Sequence, residues 1–269
     1  MAEHTRHSPK TLASEKLERV QQNLLAASER RLLTWLCSRM PGWVTPDRLT
    51  AAGIVGAVAV FAGYVASEAD RDWLWLAVGG YLLHWFGDSM DGSLARYRQI
   101  ERPTFGYFID HSCDGIATLL ILLGLGLSPF IRLDVALICL VGYLLLMVHT
   151  FLSARVFGEL KLSHVGGGPT ELRIVLIVLT LLMFVLGTGP GLFPIASGFD
   201  IFVGGVGILF ILLFVVQTIR TAQRIVAQER GHGQTMIAGN TCVRPVTGLS
   251  EVAAASGCQD EPRPLTPQP

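Results

Sequence analysis

Six runs of apolar residues, each close to the length needed to cross a bilayer as a helix, constrain this chain more than any other feature. A hydrocarbon core of about 30 Å takes roughly 20 residues of helix. Such runs fall at residues 49–66, 73–94, 105–127, 135–157, 172–186 and 201–218. The balance of the chain agrees, with 51% hydrophobic and 16% charged residues and a mean hydropathy of +0.48, too apolar for an ordinary soluble domain. The 21 basic residues are matched by 21 acidic ones. That leaves no basic excess to neutralise phosphates, so no nucleic-acid partner is expected. Cys37, Cys113, Cys139, Cys242 and Cys258 lack C-x-x-C spacing and suggest neither a disulfide framework nor a zinc ribbon. The expected fold class is all-α: a polytopic membrane bundle of six transmembrane helices preceded by an amphipathic helical segment.

Lysine and arginine are retained on the cytoplasmic side of a membrane, so their placement gives the orientation. An even number of spans puts both termini on one side. Of the 21 basic residues only Arg71 and Arg132 fall in the loops on the opposite side, leaving 19 with the termini. Both termini are therefore expected in the cytoplasm, with the protein a multi-pass component of the cell membrane. Residues 1–44 are expected to form a juxtamembrane segment in which Leu17, Val20, Leu24, Leu32, Leu36 and Met40 recur at roughly helical spacing, with Glu18, Arg19, Glu29 and Arg30 between them. This pattern reads equally as helices on the membrane surface and as helices packed on the bundle. No cleavable signal pattern is expected there. Residues 45–228 form the expected six-helix domain. Residues 229–269, polar and rich in Pro, Gly, Thr and Gln, read as a disordered tail, in which His232 has no neighbouring ligand set.

Against this apolar background four carboxylates stand out. An aspartate near the bilayer centre costs about 2.5 to 3.5 kcal/mol on insertion scales and therefore points to function. Asp88 and Asp91 close span two, and Asp110 and Asp114 open span three, so both pairs lie at the same, cytoplasmic interface. At 100° per residue, Asp88, Asp91, Gly92 and Ala95 share one stripe, and Gly106, Asp110 and Asp114 share another. Each stripe sets small residues beside carboxylates, leaving room for a ligand to approach. Four carboxylates converging without positive partners repel. Divalent cations resolve that, and an all-oxygen set favours Mg²⁺ or Mn²⁺, with room for two ions of the kind that clamp phosphate oxygens. Arg96, one turn beyond Asp91 or Gly92, suits a phosphate or a carboxylate. The bland reading is a set of interfacial salt bridges to Arg96, Arg98 and Arg102.

Written out, the segment reads D-S-M-D-G-S-L-A-R, then nine residues, then G-Y-F-I-D-H-S-C-D. This resembles the CDP-alcohol phosphatidyltransferase signature, D-x-x-D-G-x-x-A-R, eight or nine residues, then G-x-x-x-D-x-x-x-D, at every defining position. The resemblance implies an integral membrane enzyme of phospholipid biosynthesis, acting on a CDP-alcohol and an acceptor alcohol with release of CMP. It implies two metal ions on Asp88, Asp91, Asp110 and Asp114, with Asp114 also the base toward the acceptor hydroxyl. Thr45 to Thr50 resemble the T-P-[ND]-x-x-T segment of the same family. That likeness implies a CDP site formed by Asp47, Arg48, Leu49, Thr50, Gly92, Arg96 and Gly106. The same T-P-D stretch also reads as an ordinary helix cap with proline in the first turn. The resemblance also admits a homodimer, and Gly204, Gly205 and Gly207 in span six permit close helix approach.

The acceptor is less constrained. Members using inositol phosphate often carry Y-x-K-A-R after span four, whereas Phe151 to Arg155 keep the arginine and lack the lysine. Asp110 to Asp114 and Gly168 to Glu171 also look somewhat like choline and ethanolamine phosphotransferases, which pair a CDP-aminoalcohol with diacylglycerol. His111, Arg155 and Glu171 are candidates for an acceptor pocket. His111 lies about 100° from the aspartate stripe, which favours a supporting role over that of base. His84 shares the Asp88 stripe, as a partner of the site or as a packed core histidine. His149, Glu171 and Arg173 are polar residues at or near membrane depth that suit the lining of the acceptor pocket, and anchoring of a helix end explains Arg173 equally well. Two other classes use intramembrane carboxylates. A prenyltransferase carries its aspartate-rich repeats far apart, and a divalent-cation transporter lines a path across the midplane.

Overall fold

The computed structural model describes residues 26–157, 169–188 and 197–240. They are helical, with no strand among them. Helix α1 covers Ala26–Arg39, α2 Pro46–Ala66, α3 Leu74–Tyr97 after a 3₁₀ turn at Arg71–Trp73, α4 Pro103–Gly126, α5 Leu133–Phe157, α6 Pro169–Leu186 and α7 Gly198–Asn240. Each of the six apolar runs falls on one helix to within a residue, and the all-α, polytopic membrane class stands. By length and composition alone four stretches suffice to cross a membrane: Pro46–Ala66, Pro103–Gly126, Leu133–Phe157 and Gly198–Glu229. Helix α3 is equally long but ends in Asp88, Asp91 and Arg96, and the 18-residue α6 carries Glu171 in its first turn and Arg173 just beyond it. The described part of the chain divides into two units at Ala222 and Gln223. In the second, α7 runs on to Asn240, so the first residues of the segment 229–269, expected to be a disordered tail, are helical instead. Leu17, Val20, Leu24, Lys161, Gly168, the side chain of His232 and residues 241–269 lie outside the described residues.

The expected cap at the start of α2 is present. The Thr45 side chain accepts from the Arg48 N–H, and Pro46 takes the first helical position, where its missing N–H costs nothing. Helices α2 and α3 then meet backbone to backbone. A Cβ added at Gly87 would sit 2.4 Å from both the Gly53 nitrogen and the Leu49 oxygen, and one at Gly56 would sit 2.4 Å from the His84 nitrogen. Only glycine permits that approach, and it brings the Asp88–Asp91 end of α3 against the Thr50 end of α2. Gly207 serves the same purpose between α7 and α5, since its Cβ would meet the Cys139 backbone at 2.8 Å, whereas Gly205 faces open space.

Two cores hold the bundle. The larger gathers Tyr64, Leu74, Tyr81, Leu125, Leu140 and Met183. Inside it Tyr64 Oη lies 3.1 Å from Tyr81 Oη and 2.7 Å from Thr180 Oγ1, while Thr180 donates to the Leu176 carbonyl. Buried hydroxyls in an apolar medium must find partners, and this chain of three ties α2, α3 and α6 together. The smaller core packs Leu33 and Cys37 of α1 against Val44, Leu49, Met90 and Leu94. The described part of the N-terminal segment is thus packed on the bundle, while Leu32 and Trp35 on its other side are exposed. Burial raises the Cys37 thiol above its ordinary pKa, with Arg96 and Arg98 opposing, which suits a neutral packing group. At the opposite end, Ser197 and Asp200 bond each other's backbone N–H, a reciprocal cap for α7, and Asp200 also accepts from the Arg132 N–H at 2.8 Å.

Candidate functional site

The α2–α3 contact and the turn into α4 bring all four aspartates to one narrow cleft, lined also by Thr50, Gly53 and His84. Within it one carboxylate oxygen from each of Asp88, Asp110 and Asp114 lies within 4.8 Å of the others. Asp91 belongs to the same wall but is turned toward α2, where its Oδ2 accepts from Thr50 Oγ1 at 2.6 Å and its Oδ1 from the Gly92 N–H at 2.5 Å. The sequence stripes therefore converge as geometry required, with three carboxylates forming the tight cluster and Thr50 linking the fourth to the start of α2. Three half-buried, all-oxygen donors at this spacing fit a hard divalent cation.

The premise that the carboxylates lack positive partners is corrected. Arg173, buried to 9% exposure, projects from the start of the second turn of α6 and donates to Asp88 Oδ2 at 2.5 Å. The sequence signal for this pair is a lone arginine at the start of an apolar span, a feature that anchoring of a helix end also produces. The arginines of the α3–α4 turn do other work. Arg98 donates to the Met40, Pro41 and Val44 carbonyls, capping the end of α1. Arg102 pairs with Asp47. Arg96 folds back over Gly92, its Nη1 3.4 Å from where a Cβ would stand, and donates to Ser93 Oγ. Among the described residues the aspartates are thus not spent on interfacial bridges to these three.

Of the remaining candidates, Arg48 is drawn to the Trp43 carbonyl at 2.5 Å, Leu49 is buried in the smaller core, and Gly106 has nothing within 4 Å of its Cβ position. His84 donates from Nδ1 to the Gly53 carbonyl, 3.1 Å away, on the cleft wall. His111 stands closer to the carboxylates than a helical wheel suggests, its Nδ1 3.6 Å from Asp110 Oδ2 and 3.9 Å from Asp114 Oδ2. Both separations exceed a direct hydrogen bond. Its ring is stacked on Phe151 at 5.0 Å and edge-on to Tyr107 at 4.3 Å, which fixes its direction. His111, Arg155 and Glu171 do not line the cleft. Arg155 is exposed at the end of α5, and His149 lies between α5 and α7, near Ser153, Thr218 and Thr221.

The sequence model of the CDP-alcohol phosphatidyltransferase family matches residues 43–218, more than half of the chain. The chain belongs to that family. Membership sets aside the prenyltransferase and cation-transporter alternatives. Among curated relatives, cholinephosphotransferase 1 of Gallus gallus is 28% identical over 67% of this chain and 58% of its own length. The Xenopus laevis protein of that name is 26% identical over 65% of this chain and 47% of its own. Archaetidylinositol phosphate synthase of Pyrococcus horikoshii is 28% identical over 57% of this chain and 78% of its own. The chain spans about half the length of the cholinephosphotransferases it matches. A solved structure of Mycobacterium tuberculosis phosphatidylinositol phosphate synthase with CDP-DAG bound matches with a TM-score of 0.45 and 20% identity, covering 73% of this chain and 91% of that one.

Proposed function

We propose that this family member transfers a substituted phosphate from a CDP-alcohol to an acceptor alcohol and releases CMP. The observation that carries the reading is the convergence of Asp88, Asp110 and Asp114 at one end of the bundle, beside Asp91 and Thr50. Asp114 takes the proton of the acceptor hydroxyl as its oxygen bonds to phosphorus, and the bond from phosphorus to the bridging oxygen breaks, with CMP leaving on that oxygen. Asp88, Asp91, Asp110 and Asp114 would together hold two Mg²⁺ or Mn²⁺ ions, which supply neutralising charge to the pyrophosphate and its leaving group. Thr50, by fixing Asp91, couples the α2 entrance to the site. Asp47, Arg48, Leu49, Gly92, Arg96 and Gly106 surround the CDP moiety, and His111, Arg155 and Glu171 face the acceptor.

Further parts of this reading are six spans, α3 and α6 crossing with the other four, both termini and the cleft in the cytoplasm, and, by family resemblance, a homodimer. The donor is CDP-diacylglycerol or a CDP-aminoalcohol. Ser153, where members using inositol phosphate often carry lysine, speaks against inositol phosphate as acceptor, and the relatives named cholinephosphotransferase favour a CDP-aminoalcohol. The test incubates purified protein with CDP-diacylglycerol and a panel of alcohols, and in parallel with CDP-choline or CDP-ethanolamine and diacylglycerol, following CMP with and without Mg²⁺. Release in one arm names the donor class. Release in neither contradicts the proposed reaction.

A further inference from the structure

One carboxylate outside the cleft is held more elaborately than a surface glutamate requires. Glu29 of α1 is half-buried, and its Oε1 gathers three donors: Trp85 Nε1 at 3.1 Å, Ser89 Oγ at 3.4 Å and Thr170 Oγ1 at 2.9 Å. Two of these belong to α3, and Ser89 adjoins Asp88. The third is in the first turn of α6, one turn before Arg173, whose guanidinium touches Asp88. From Thr170 to Arg173 is a spacing of i to i+3, so the two residues share a helical face. A single oxygen on the N-terminal helix thus fastens the start of α6 to the stretch of α3 that presents Asp88.

We infer that Glu29 is a positioning residue, which through Thr170 sets the register of the α6 first turn and so holds Arg173 on Asp88. The consequence has a definite sign. A guanidinium on Asp88 occupies a lone pair and repels a divalent cation approaching the same oxygens, so Arg173 restrains cation binding at the cluster. Loosening α6 relieves that restraint and raises cation affinity. General loosening of the site would lower it instead, because the three carboxylates would lose their common geometry. The inference about affinity rests on the proposed metal site, whereas the fastening of α6 does not.

The experiment uses the full chain in nanodiscs and two readouts: hydrogen exchange of the α6 first turn, and equilibrium Mn²⁺ binding by electron paramagnetic resonance. In Glu29→Ala, amides near residues 171–174 are expected to exchange about tenfold faster while those of the α2–α3 contact stay unchanged, and Mn²⁺ binds about three- to tenfold more tightly. Glu29→Gln, whose amide oxygen still accepts, stays near wild type in both. In an Arg173→Gln background, Glu29→Ala produces no further change in Mn²⁺ affinity, the non-additivity expected of residues acting through one contact. Thr170→Val, which removes one donor and keeps the volume, reproduces the exchange effect should Glu29→Ala fold poorly. Unchanged α6 exchange in both variants overturns the inference, and so does weaker Mn²⁺ binding in Glu29→Ala. Absence of Mn²⁺ binding to the wild type overturns the metal reading, and the exchange data then still decide whether Glu29 holds α6.

Discussion

Arg173 shows how much a single side chain alters the electrostatics of the cleft. Its contact with Asp88 sets a guanidinium against one of the three carboxylates that cluster in the cleft. Breaking a buried pair by removing one partner costs about 3 to 5 kcal/mol when both are fully enclosed. Asp88 is partly open to the cleft, so the expected loss for Arg173→Gln is smaller, roughly 2 kcal/mol. Thermal unfolding of that variant without divalent ions should fall several degrees below wild type, and Mg²⁺ should restore most of the difference. An equal deficit with and without Mg²⁺ would show that Arg173 does not face the same carboxylates as the cation. The aspartates were legible in sequence because carboxylates are costly in an apolar run. Their counter-ion was not, because it comes from a helix about 85 residues downstream, a separation that only tertiary packing spans.

At the scale of elements the α2–α3 pair positions everything else. Its glycines place main chain against main chain, so a side chain there cannot rotate out of the way. Gly87→Val would overlap the Gly53 nitrogen and the Leu49 oxygen. It should exceed the about 1 to 3 kcal/mol typical of overpacking and sharply reduce monodisperse protein in size-exclusion chromatography. Gly79→Ala on the same helix, with nothing within 4 Å of its Cβ position, should elute as wild type. A monodisperse Gly87→Val would mean that the helices lie farther apart. Helix positions were readable from the apolar runs, and the Thr45–Pro46 cap from local chemistry. Which glycines face a neighbour was not readable, since Gly79 and Gly80 look alike in sequence, yet Gly80 meets Val60 and the Gly56 oxygen while Gly79 meets nothing. Likewise, two readings of the N-terminal segment stayed open until Leu33 and Cys37 were seen packed against Met90 and Leu94.

For the whole molecule, the proposed orientation, argued from the distribution of lysine and arginine, has the 3₁₀-turn loop outside the cell and the α3–α4 turn inside. Both Glu68 and Glu101 are exposed. In a cysteine-free background, Glu68→Cys should react with a membrane-impermeant maleimide on intact cells and Glu101→Cys only after permeabilisation. The reverse pattern would invert the topology. The apolar runs carried the fold class and the aspartate motif the candidate site, whereas the acceptor alcohol was not legible, because the stretch around Arg155 matches Y-x-K-A-R only in part and the likenesses at Asp110–Asp114 and Gly168–Glu171 are short. The most direct measurement of the central claim is CMP release by purified protein supplied with the matching CDP-alcohol and acceptor. Wild type should release CMP only with Mg²⁺ or Mn²⁺, and Asp114→Asn, inserted and folded as wild type, should lose about 10² to 10⁴-fold, the range of general-base catalysis. Near-normal release by Asp114→Asn, or release undiminished by a chelator, would contradict the account.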